Sequence, residues 1–301
     1  MENQLLRFAR AAMAVARRCV PSRLTRFAHP TYMPASLFAA LLLREHLRLT
    51  WRALEDLLRI SPPLRRRFGF RIAPDHSTLW RFARRHLGAE LVVAALRATV
   101  ARVRHFPDQA RQVALDSTGL WLSHTSWYFA WRAKRDRGQR GWMKWAVALW
   151  VEPQMVVAQR VRPGPCGDFG DLQPLATAAN DLKLFEQLIA DAGYDSEANH
   201  RFCRETLGVD SLIPVKKRRS VKVFATTPYR QEMMRRLGET GPAADRAAYR
   251  QRWKVETIMS VVKRRCGGAL TARLEPTQRG QALLRGVAYN VQRLVQLGLA
   301  A

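Results

Sequence analysis

From Pro34 to Leu47 the apolar residues of PASLFAALLLREHL recur at helical spacing, and from Thr50 to Ser61 those of TWRALEDLLRIS repeat it. Both stretches predict helices, with Thr50 as N-cap of the second, because a threonine hydroxyl accepts from the free amides of a first turn. PPLRRRFGF (Pro62–Phe70) reads as a breaker followed by a basic turn. PDHSTLWRFARRHLG (Pro74–Gly88) returns to helical spacing, with Asp75 or Ser77 to cap it and Gly88 to stop it. Residues 1–108 are therefore expected to form an all-helical domain. Two helices, a turn and a third helix carrying Arg81, Arg84 and Arg85 suit a helix-turn-helix. A helical bundle with a solvated arginine face has the same pattern.

Around Phe106-Pro107-Asp108 the period changes, and residues 109–301 read as a second, α/β domain. RQVALDSTG (Arg111–Gly119) is a short apolar run ending in turn residues, as in a buried strand. MKWAVALWVE and MVVAQRVRPG flank Pro153-Gln154 and predict a β-hairpin. A loop, GPCGDFGD, leads to a helix from about Asp171 to Asn180. A strand stopping at Asp191-Ala-Gly follows, then a helix ended by Gly208 and a strand in VDSLIPVKK. After a polar stretch comes a long helix containing YRQRWKVETIMSVVKRR (Tyr249–Arg265), with Pro242 in its first turn and Gly267-Gly268 as its stop. Strands alternating with helices in this order predict a mixed sheet covered by helices.

Charge sharpens the picture. The formal net charge is +27, and residues 1–110 hold 20 arginines, no lysine and seven acids. Such a surface attracts a polyanion, with nucleic acid as the default partner. The longest apolar stretch, around Leu37–Leu43, is far short of the roughly 20 residues of a membrane span. The first 20 residues lack a clean signal-peptide core, so a cytoplasmic protein is expected. Cys19, Cys166, Cys203 and Cys266 are far apart and form no C-x-x-C pair, against a zinc or disulfide framework. There is no P-loop, so ATP is not implied.

The informative acids are three. Asp116 lies in or at the end of the first strand, where a bare carboxylate is costly unless paired, protonated or bound to metal. Asp191 ends a later strand, and Ala192 and Gly193 after it leave room for close approach. Each also reads as a capping or turn aspartate. On an uninterrupted helix, at about 100° per residue, Tyr249, Arg252, Glu256 and Lys263 share an arc of about 60°. That arc borders a face of Val255, Ile258, Met259 and Val262 that suits packing on a sheet. Arg252 and Glu256 are also spaced i, i+4, so a surface ion pair is the competing reading, and that pairing is expected in metal-free protein. Three such carboxylates suit two hard divalent cations, Mg²⁺ or Mn²⁺. A pair about 3.5–4 Å apart activates a water or 3′-hydroxyl and stabilises the leaving oxygen at phosphorus.

At these residues the chain resembles bacterial insertion-sequence transposases of the DDE type, in the insertion-sequence four/five superfamily. VALDSTG carries Asp116, ADAGYDS carries Asp191, and Tyr249-x2-Arg252-x3-Glu256-x6-Lys263 matches the Tyr-Arg-Glu-Lys signature at every spacing. WYFAWRAKR (Trp127–Arg135) and ASLFAALLLREHLRLTWRALEDLLR add weaker likenesses. The resemblance implies a ribonuclease-H-like fold for the second domain and Asp116, Asp191 and Glu256 as metal-binding catalytic acids. It implies phosphate contacts from Tyr249, Arg252 and Lys263. It also implies cleavage of double-stranded DNA at transposon ends, joining of the freed 3′-hydroxyl to target DNA, and a homodimer on paired ends. Some relatives carry a large β-insertion between the second Asp and the Glu. Here only about 218–241 is left over, so no such insertion is expected. A non-catalytic DNA-binding derivative and a nuclease without strand transfer are the alternatives.

The remaining features are less specific. The basic run of Lys216, Lys217 and Arg218 reads as a phosphate clamp or a solvated loop. Trp121, Trp127, Tyr128, Phe129 and Trp131, among Arg132, Lys134, Arg135, Arg137 and Arg140, suit base stacking or a hairpin core. Asp168 and Asp171 are expected as a loop residue and an N-cap, with extra metal ligation the alternative. His124 and His200 belong to no catalytic motif.

Overall fold

The structure is a computed structural model that describes residues 3–23, 31–103, 106–107, 109–123, 141–216 and 226–300. Two compact units emerge. One comprises Met1–Arg104, Leu120–Met143 and Val261–Ala301, and the other His105–Gly119 and Lys144–Ser260.

The first unit is helical. It contains α1 (Gln4–Cys19), α2 (Pro34–His46), α3 (Trp51–Ile60), α4 (Pro62–Arg67), α5 (His76–His86), α6 (Ala89–Val100) and, from the end of the chain, α12 (Glu275–Gln296). Every residue of α2 from Pro34 to Glu45 is buried, which makes it the central helix. Its run of Leu and Ala explains this, since a helix apolar nearly all round is enclosed by its neighbours. The enclosing helices are α1 and α12, and α6 packs on both of them. Arg44 and Glu45 are carried into that core as partners. Glu45 pairs with Arg44 and accepts from Gln281 and Arg285. Arg285, almost fully buried, also donates to the carbonyls of Gly267 at 2.8 Å and Ala269 at 2.6 Å. Charges so enclosed are tolerated only when paired and hydrogen-bonded.

Local signals hold in part. The Thr50 hydroxyl caps α3 through Ala53 N–H at 3.1 Å, and Asp75 caps α5 through Ser77 N–H at 2.7 Å. Pro62–Arg67 is a helix, not the expected turn. Its prolines fall in the first helical positions, where an amide would go unbonded in any case. Gly88 does not stop α5, which ends at His86. With φ −104° it begins α6 instead.

The second unit is built on a sheet. Its strands are β1 (Ala110–Leu122), β2 (Trp142–Trp150), β3 (Met155–Pro163), β4 (Phe185–Ala190) and β5 (Asp210–Leu212), in the order β3-β2-β1-β4-β5. A short β6 (Ala269–Leu270) pairs parallel with Trp121–Leu122 at the far end of β1, within the helical unit. β2 is buried from Met143 through Trp150, the signature of a strand covered on both faces. β2 and β3 form the expected hairpin through the turn at 151–154. β1 and β4 run parallel from Ala110 opposite Phe185 to Leu115 opposite Ala190, and β5 runs parallel to β4. A hairpin beside parallel strands, flanked by helices, is the mixed, ribonuclease-H-like α/β sheet the resemblance implied.

The helices of this unit are α7 (Leu172–Leu182), which packs on β3, α8 (Glu197–Arg201, continuing as a wider turn over Phe202–Thr206), α9 (Pro228–Arg236), α10 (Ala243–Arg250) and α11 (Trp253–Cys266). Gly208, at φ 66°, ends the α8 segment as expected. Between Leu212 and Ala269 the described residues contain no strand. The long helix expected through Tyr249–Arg265 is two helices, broken at Gln251-Arg252. Arg252 N–H bonds to Tyr249 O, Lys254 N–H to Gln251 O and Val255 N–H to Arg252 O, all three-residue steps. Such a tightened turn advances by about 120° per residue, so a single wheel across the break does not hold.

Candidate active site

Asp116 and Asp191 come together through strand register. Leu115 pairs with Ala190, and one further step along β1 and the end of β4 brings Asp116 beside Asp191. Both sit where parallel strands end, the place where open α/β sheets gather ligands. Asp116 is the more enclosed, and its Oδ1 accepts from Ser117 N–H at 2.7 Å. Burial pushes its pKa up to about 6. The Ser117 amide and Arg252 lower it, and the charges of Glu256 and Asp191 raise it further. Asp191 leaves β4 and caps a single 3₁₀ turn, Ala192–Tyr194, accepting from Gly193 N–H at 2.9 Å.

Glu256 arrives on the first turn of α11. Arg252 Nη2 is 2.5 Å from Glu256 Oε1, and its Nη1 is 3.7 Å from Asp116 Oδ2. The expected ion pair is therefore present, and it reaches across to the strand-end acid. Burial acts to lower the Arg252 pKa, but Tyr249, Glu256, Asp116 and Asp191 outweigh it and hold the guanidinium charged. Tyr249 lies in the same field. Burial and the neighbouring acids raise its pKa against the pull of Arg252. Asp116, Asp191, Tyr249, Arg252 and Glu256 thus form one cluster despite the break in the helix. Lys263, farther along α11, belongs to the helical unit, and burial lowers its pKa.

Behind the acids lies a network that sequence reasoning missed. Lys144 on β2, only 3% exposed, sits 2.5 Å from Asp168 Oδ1 and 2.9 Å from Asp171 Oδ2. Arg160 and Arg162 complete the shell of Asp171 at 3.0 and 2.7 Å. Asp168 and Asp171 stand at helix starts, yet neither makes a capping bond. Their carboxylates serve the buried lysine instead. A lysine within the apolar run MKWAVALW was the available signal, because a buried ammonium requires anionic partners.

Arg81, Arg84 and Arg85 are exposed on α5, Arg81 bonded to Ser77 and Arg84 over the Trp80 ring at 5.3 Å. Lys216 is exposed, and its amide donates to Asp195. Lys217, Arg218, His124, Trp127, Tyr128, Phe129, Trp131 and the cations from Arg132 to Arg140 lie outside the described residues. Trp121 is exposed. His200 is buried, with its ring bonded to Ser211 and 3.9 Å from Asp195. All four cysteines are free.

A cation fits the donor set. Three hard carboxylates share one electrostatic field, burial and then that shared charge raise the Asp116 pKa, and one positive group, Arg252, already bridges two of them. The spacing is open, however. Among the described residues the trio with ligand atoms within 4.8 Å of one another is Glu55, Asp75 and His76. In that trio Glu55 accepts from His76 N–H at 2.9 Å and pairs with its ring at 2.8 Å, clamping α3 to the start of α5.

Two strand-end aspartates and a helix glutamate on a mixed sheet, in a strongly basic chain, define a class of enzymes acting on nucleic-acid phosphates. Comparison with known families makes this specific. The family model described as Transposase DDE domain matches residues 107–291, and that described as Transposase domain (DUF772) matches residues 7–85. The chain belongs to the DDE transposase family, and is a DNA transposase. No curated protein matches it. Among the described residues no helix is long and apolar enough to cross a membrane.

Proposed function

We propose that this transposase cuts double-stranded DNA at the terminal inverted repeats of an insertion sequence of the four/five superfamily and joins the freed 3′-hydroxyl to target DNA. The observation that carries the reading is the register that sets Asp116 beside Asp191, with Glu256 tied to Asp116 through Arg252. Asp116, Asp191 and Glu256 would hold two Mg²⁺ or Mn²⁺ ions. When bound, these ions supply an activated water or 3′-hydroxyl and neutralise charge developing at phosphorus.

The protein groups have separate tasks. The raised pKa of Asp116 comes first from its burial, with the charges of Glu256 and Asp191 adding to it, and a bound cation would offset the cost of holding that carboxylate charged. Arg252 offers a planar, permanently charged fork suited to phosphate oxygens. Its present hold on Glu256 has to loosen for that carboxylate to take a ligand's role. Tyr249 and Lys263 would each contact DNA phosphate. Lys216, Lys217 and Arg218 would add further phosphate contacts. Residues 1–108, through Arg81, Arg84 and Arg85 of α5, bind the transposon ends, and residues 109–301 carry the chemistry. A homodimer holds two paired ends, and the protein works in the cytoplasm at the nucleoid. The test is direct: purified protein with Mg²⁺ nicks a duplex bearing the inverted repeats that flank its reading frame. Normal binding of those ends without nicking would refute catalytic competence.

A further inference from the structure

Each strand-end acid is oriented by one backbone amide. Ser117 N–H holds Asp116 Oδ1 and Gly193 N–H holds Asp191 Oδ1. One side chain, Asp168, touches both of those donors' residues. Its Oδ1 accepts from Ser117 Oγ at 2.6 Å. Its Oδ2 lies 2.9 Å from where a Cβ on residue 193 would stand, closer than real Cβ contacts come. A side chain at 193 would therefore press on Asp168, and glycine lets the two approach closely. Asp168 is in turn fixed by Lys144, whose ammonium is also held by Asp171 and by Gly167 O at 2.8 Å. A buried ammonium with these partners cannot shift without stranding a charge.

We infer that Asp168, locked by Lys144, is a positioning residue that sets the relative placement of Asp116 and Asp191 for cation binding. Its Oδ1 is already shared between an ammonium and a hydroxyl, which fixes the side chain in this placement. The inference rests on the reading of Asp116 and Asp191 as cation ligands. Outer groups that orient ligands typically change metal affinity about 10–100-fold when removed.

Mn²⁺ binding to the purified full-length chain, followed by the electron paramagnetic resonance of free Mn²⁺, tests this. Asp168→Asn keeps the shape and removes the charge, and is expected to weaken Mn²⁺ binding about 10–100-fold in protein that circular dichroism shows to be folded. Ser117→Ala removes only one hydroxyl and is expected to weaken it about tenfold. Native affinity in folded Asp168→Asn overturns the inference. Should Asp168→Asn not fold, native affinity in Ser117→Ala overturns it. Asp116→Asn separates the two readings: if it also binds Mn²⁺ as the native chain does, the cation site itself is wrong and the positioning inference falls with it.

Discussion

The acids at 116 and 191 and those at 168 and 171 differ in what surrounds them. Asp116 is enclosed with other carboxylates and one guanidinium, and its pKa is pushed up to about 6. Asp171 is enclosed with Lys144, Arg160 and Arg162. Burial acts to raise its pKa, but the bonds from Arg162 and Lys144 prevail and hold it below the ordinary carboxylate value. A depressed pKa contributes stability above the unfolded value, near 3.8, and that stability is lost as pH falls through the folded value. Asp171→Ala should therefore cost about 3–5 kcal/mol at pH 7, as breaking one side of a buried pair does. The difference from native protein should shrink below about pH 4, which urea unfolding across that range measures. Asp116 and Asp191 were legible in the sequence because each interrupts or ends an apolar strand run. The service of Asp168 and Asp171 to Lys144 was not, because the lysine lies more than 20 positions away on another strand. No local pattern encodes that meeting.

At the scale of elements, caps and periods carried the prediction where the element stands by its own local chemistry. Thr50 caps α3 as its position implied, and Thr50→Ala should lower stability by about 1 kcal/mol, read as a shift in the urea midpoint without change in slope. The Tyr249–Arg265 stretch shows where periodicity fails. Its sequence has no glycine or proline at Gln251-Arg252, so nothing local announces the tightened turn. Tyr249, Arg252 and Glu256 meet all the same, because Arg252 at the break pairs with Glu256 and lies in the field of Tyr249. The α4 helix was misread for the opposite reason. Two prolines suggested a breaker, but prolines at a helix start obstruct nothing. The sheet's order was beyond the sequence, since pairing of β1 with β4 spans some 75 positions.

For the whole molecule the net charge of +27 governs how it meets DNA. Binding to duplex should fall steeply with salt. A footprint of about 6–10 phosphates would lose roughly 10³–10⁵ in affinity between 50 and 200 mM salt. Replacing Arg81, Arg84 and Arg85 together by alanine should flatten the slope of log affinity against log salt by up to about three units. An unchanged slope would remove α5 from the DNA face. Asp116, Asp191 and Glu256 are proposed to act as one metal-dependent site. The most direct measurement is cleavage of an end-bearing duplex in Mg²⁺ by native protein and by Asp116→Asn, Asp191→Asn and Glu256→Gln, with end binding measured alongside. Native protein alone should cleave, and all four should bind within about threefold, since no large desolvated contact is removed. Full cleavage by any one variant would contradict it.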